Sequence, residues 1–85
     1  MRTTIVKNVR NLFQKQFMLR ISKNSADLEK DLGLNHFEMN ELFDSIEHLF
    51  KIQLEDNETQ NIHTVKDLVY CVEKKQHLMY QKLAS

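Results

Sequence analysis

The sequence predicts an all-α domain: a small four-helix bundle of three main helices and one short one, with a long loop after the first helix. Three observations carry this. The 85 residues include one glycine and no proline, too few turn-formers for a fold built of hairpins. Apolar residues recur at helical spacing in three separate stretches. Good N-caps stand at the head of two of those stretches, at Asn35 and Thr64.

The first stretch covers roughly residues 3–18. Ile5, Val9, Leu12 and Phe13, with Gln16 and Phe17 at its end, lie on one stripe, and Lys7, Arg10 and Lys15 fall off it. Residues 20–34 follow as a long loop, which Ile21, Leu28, Leu32 and Leu34 are placed to pin down. A loop of that length in a small domain is functional or packed by its own side chains.

The second stretch opens at Asn35, with Glu38 three residues on, as a capping box requires. Met39, Leu42, Phe43, Ile46, Leu49 and Phe50 form a stripe wide enough to face a core. Phe37, Glu41, Asp44 and His48 point the other way, with Glu38 and Glu47 at the flanks. Residues 56–62 predict one short helical turn that drops Ile62 into the core. The last helix starts at Thr64, with Asp67 completing a second capping pattern. Its stripe is Val65, Leu68, Val69, Val72, Gln76, Met79 and Leu83.

The chain reads as a single domain, 1–85, without repeats or linkers. Its formal charge is zero, yet unevenly spread. Residues 1–24 hold six bases and no acid, while residues 25–60 hold ten acids against Lys30 and Lys51, a local net charge of −8. Such a segment favours basic protein partners and repels nucleic acid. No run of about 18 apolar residues is present, so no membrane span is expected. A single cysteine, Cys71, gives no internal disulfide and suits a reducing cytoplasm. The Arg-rich, acid-free N-terminus has the character of a transit peptide, but the same residues carry the first core stripe.

Two segments, Asp31 to Leu42 and Phe50 to Leu68, are similar to the acyl carrier proteins. That family reads Asp-Leu-Gly, then Asp-Ser-Leu, then an acidic helix. Phe, an Ile-x-Ile-like pair, a short acidic turn, Ile, and Thr-Val at the last helix follow. The matching elements here are Asp31-Leu32-Gly33, Asn35-His36-Phe37, Glu38 to Leu49, Phe50, Ile52 and Leu54, Asp56 to Asn61, Ile62, and Thr64-Val65. The resemblance runs from about residue 5 to residue 75 and implies an acyl-carrier-like bundle. The tail from Glu73 to Ser85 runs beyond the family's usual length: Leu78, Met79, Tyr80 and Leu83 either extend the last helix as a partner-facing surface or fray.

The departure lies at the chemistry. The family's serine carries phosphopantetheine, and His36 occupies its place. Imidazole does not form the stable phosphodiester that a hydroxyl does. Ser25 lies too early, in the loop, and Ser45 too deep, inside the helix. No cofactor is therefore expected. The alternatives are an atypical modified serine, or a metal or enzymatic role for His36. Against the latter, His36, His48, His63 and His77 are scattered and no nucleophile stands near. No catalytic or metal residues, and no enzyme activity, are expected.

The resemblance implies that the acidic helix docks on basic patches of biosynthetic enzymes. The residues expected to make that contact are Phe37, Glu38, Glu41, Asp44, Glu47 and His48. Phe37 is either an exposed anchor among acids or is covered by the loop through Leu32 or Leu34. Met39, Phe43, Ile46, Leu54, Ile62 and Leu68 match the family's acyl-chain lining. The two phenylalanines, Phe43 and Phe50, point to a filled interior instead. The expected function is a non-covalent docking subunit of fatty-acid or polyketide-type biosynthesis: cytoplasmic, monomeric, binding neither nucleic acid nor membrane. A homodimer through the C-terminal extension is the other oligomeric possibility.

Overall fold

A computed structural model describes the backbone of residues 2–84 and the side chains of residues 3–78. Four helices follow in order: α1 (Arg2–Phe17), α2 (His36–Phe50), α3 (Asp56–Thr59) and α4 (Val65–Ala84). Among the described residues the sole β feature is an isolated antiparallel bridge between Asp27 and Thr64. The fold is the all-α bundle expected, with one short helix before the last.

The stripes converge on one core. Ile5, Val9 and Phe13 of α1, Met39, Leu42 and Ile46 of α2, and Val65, Leu68, Val69 and Val72 of α4 are all buried. Ile21, Leu28 and Leu34 from the long loop join them, as do Ile52, Leu54 and Ile62 around α3. Leu32 packs against this core half-buried. The basic N-terminal segment is thus part of the domain's core helix. Met79 and Leu83, the outer end of the last stripe, lie outside the side chains described.

Two expectations need correction. Leu49 is 47% exposed, although it shares the stripe of Leu42. A helical wheel gives direction, but covering a side chain takes an element opposite that turn. The helix also ends close by: Lys51 adopts the left-handed conformation (φ 55°), and its N–H bonds the Glu47 carbonyl. Phe43 and Phe50 fill the interior less than expected. Both sit half-buried at the core margin, while Phe13, Leu28, Leu42, Ile46 and Leu68 fill the centre.

The long loop is held by backbone groups as well as by apolar pins. Asp27 Oδ1 accepts hydrogen bonds from the N–H groups of Glu29 (3.0 Å) and Lys30 (2.8 Å). Asp31 Oδ2 accepts from the Asp27 N–H at 2.8 Å. The turn closes at Gly33, whose φ of +72° side-chain-bearing residues rarely adopt. The Lys30 N–H, chiefly, holds the Asp27 carboxyl below its ordinary pKa.

The loop then caps α4. The Val65 and Lys66 N–H groups donate to the carbonyls of Ala26 (3.2 Å) and Asn24 (2.7 Å), satisfying donors that a helix start leaves without partners. Thr64 Oγ1 accepts from the Asp67 N–H at 3.0 Å, and Asp67 Oδ2 accepts from the Thr64 N–H at 3.1 Å. We expect Thr64→Ala to remove about 1 kcal/mol of stability, the usual cost of losing an N-cap. A urea unfolding midpoint, read at unchanged slope, checks this.

Candidate functional site

The residues marked for function gather at the start and outer face of α2. Asn35 is the N-cap: its Oδ1 accepts from the Glu38 N–H (2.8 Å), and Glu38 Oε1 accepts in return from the Asn35 N–H (3.0 Å). His36 is therefore the first helical residue, exposed at the positive end of the helix dipole. It borders a groove of about 200 Å³ between α2 and the segment leaving α3, lined also by Glu29, Met39, Phe43, Ile62 and His63. Spacing alone did not bring His36 and His63 together. The fold does so by bonding the Leu28 N–H to the His63 carbonyl at 2.8 Å. Among the described residues, no three of His, Cys, Asp or Glu are grouped so as to hold a metal ion.

Of the six residues expected to meet a partner, four stand free of the core. Glu41, Asp44 and His48 are exposed, and Phe37 is 73% exposed. The loop does not cover the Phe37 ring, because Leu34 is buried in the core and Leu32 packs against it. Phe37, Glu41 and Asp44 follow at i, i+4 and i+7, one face of the helix.

Glu38 and Glu47 make hydrogen bonds within the domain. Each is half-buried. Glu38 closes the capping box. Glu47 Oε2 accepts from the Leu54 N–H at 2.7 Å, tying α2 to the segment before α3. That role left no trace in the sequence, since a carboxylate seven residues from a backbone donor matches no local pattern. Of the six, Phe37, Glu41, Asp44 and His48 are the exposed ones, and Glu38 and Glu47 lie half-buried at their edge.

Elsewhere, Lys75 Nζ meets Glu58 Oε1 at 2.8 Å, fastening α3 to α4. Burial opposes the Glu58 charge, but the Lys75 hydrogen bond and the Glu55 N–H outweigh it and lower its pKa. Burial pushes the Cys71 thiol up, and Glu58 adds to this. A raised thiol pKa leaves Cys71 protonated at neutral pH and a poor nucleophile.

The exposed first position of α2 carries imidazole. Ser22 and Ser25 lie in the loop, and Ser45 is half-buried in the middle of α2. No described helix is long and apolar enough to cross a membrane.

No protein-family model and no curated protein matches the chain. Among solved structures it is similar to an acyl carrier protein from Thermotoga maritima. The two superpose with a TM-score of 0.77 at 23% sequence identity, over 92% of this chain and 93% of that one. At that identity the likeness speaks for the backbone, and the chain has the fold of an acyl carrier protein.

Proposed function

We propose that this chain is an acyl-carrier-like domain without an arm. It serves as a non-covalent docking subunit beside enzymes of fatty-acid or polyketide-type biosynthesis in the cytoplasm. The observation that carries the reading is His36 at the first position of α2, on a backbone that superposes on an acyl carrier protein. The carrier architecture is retained, and the hydroxyl that carriage needs is absent. The domain holds no cofactor and catalyses no reaction of its own.

The contact is made by the outer face of α2. Phe37 supplies an apolar anchor, and Glu41 and Asp44 supply charge to a basic patch on the enzyme. An exposed aromatic ring contributes little to folding, and its exposure to water is costly unless something covers it. The carboxylates bring the partner in quickly and sensitively to salt, and the ring holds it.

The test is a pull-down from the native host. Wild-type chain is compared with a Phe37→Ala, Glu41→Gln, Asp44→Asn variant whose fold is verified by circular dichroism. The variant is expected to lose the biosynthetic enzymes that the wild type retains. Raising salt from about 0.05 to 0.5 M, which shortens the Debye length roughly threefold, is expected to weaken capture. Salt-independent capture, or equal capture by the variant, would sink this face as the docking site.

A further inference from the structure

We infer that the chain also associates weakly with a second copy of itself, the α2 face of one copy seating on a groove between α1 and α4 of the other. The inference rests on the reading of the α2 face as a docking surface, and adds its complement on the same molecule. The groove has a volume of about 240 Å³. Its walls include Val6 of α1 and Val69 and Tyr70 of α4. Tyr70, next to the buried Val69, is 57% exposed.

The rim carries two bases. Lys66 lines the groove and is exposed. Arg10 is brought to its edge by a hydrogen bond from Nη2 to Asn24 Oδ1 of 2.9 Å. The acid in the lining, Asp67, spends Oδ2 on the N–H groups of His63 (3.0 Å) and Thr64 (3.1 Å). An apolar floor whose rim holds Arg10 and Lys66 against Asp67 is the counterpart of Phe37 flanked by Glu41 and Asp44.

Charge complementarity selects the occupant. Residues 1–24 carry six bases and no acid, and residues 25–60 carry a net charge of −8 within a neutral chain. Two copies therefore gain from bringing unlike halves together, whereas like halves repel. The two patches differ, so each copy offers both. One small patch per contact makes the association transient, with the monomer prevailing on dilution.

Sedimentation velocity on the full chain tests this, from about 10 µM to 1 mM and at about 0.05 and 0.5 M salt, concentrations chosen around the weak range and salts that screen surface charge. We expect the weight-average sedimentation coefficient to rise with concentration at low salt, and the dissociation constant to increase about tenfold at high salt. Glu41→Lys with Asp44→Lys should abolish the rise, as should Arg10→Glu with Lys66→Glu. An equimolar mixture of the two charge-reversed chains should restore it, because each then offers the other an unlike patch. Concentration-independent sedimentation of the wild type would overturn the inference. So would association indifferent to both reversals, or a mixture that stays monomeric. Loss of self-association while Phe37-dependent enzyme capture persists removes this inference alone. Loss of the effect of Phe37, Glu41 and Asp44 on capture removes the reading beneath it.

Discussion

Replacing His36 by serine is expected to convert a chain that stays unmodified into one that accepts a single phosphopantetheine group from coenzyme A and a broad-specificity phosphopantetheinyl transferase. Intact mass reads the outcome directly. The geometry favours it. His36 is exposed at the first turn of α2, and the cap next to it is made by Asn35 and Glu38 without its side chain. The substitution leaves those bonds in place, and the positive end of the helix dipole favours the phosphodiester that would form there. A second variant, Asn35→Asp, His36→Ser, Phe37→Leu, restores the whole tripeptide of the family that the sequence resembles. It separates a missing hydroxyl from a transferase contact disturbed by Phe37. Wild-type chain taken from its native host is expected at its unmodified mass. A wild-type chain that carries the arm would mean that Ser22, Ser25, Ser45 or Ser85 is the attachment point, and the armless reading would fall.

What could be read from sequence was whatever repeats locally. The buried side chains of α1, α2 and α4 follow helical spacing, and both predicted capping boxes are present. The buried Ile62 followed from the short acidic turn before it. What escaped were contacts between segments distant in sequence. The groove at His36 needs the loop bonded to the start of α4 through Leu28 and His63, and no periodicity encodes that. Glu47 was legible in the sequence only as a carboxylate on the flank of α2, from its wheel position. Its bond to the Leu54 N–H depends on how the chain turns after Lys51. The exposure of Phe37 was an open question for the same reason: its wheel direction was plain, but whether the loop covered it was not.

Two phenylalanines separate stability from docking, and Phe13→Ala is expected to have the largest effect on the fold. Phe13 has no exposed surface and lies at the centre of the core, with its ring 6.0 Å from that of Phe17. Removing it loses the transfer energy of the ring and leaves a cavity that helices on several sides cannot collapse to fill, a cost of about 3–5 kcal/mol. A domain of 85 residues has a total stability of about 4–13 kcal/mol, at roughly 0.05–0.15 kcal/mol per residue. The substitution therefore removes a large fraction of what holds the bundle together. Far-UV circular dichroism in urea is expected to show the midpoint shifted strongly down, or the chain unfolded in buffer. Phe37→Ala in the same experiment is expected to shift stability by no more than about 0.5 kcal/mol, since exposed side chains away from special geometry do little for folding. Equal destabilisation by the two would mean that the Phe37 ring packs against the domain in solution. The pull-down variant would then report on folding as well as on contact. A stable Phe37→Ala chain that no longer holds its partners leaves recognition as the role of the exposed ring.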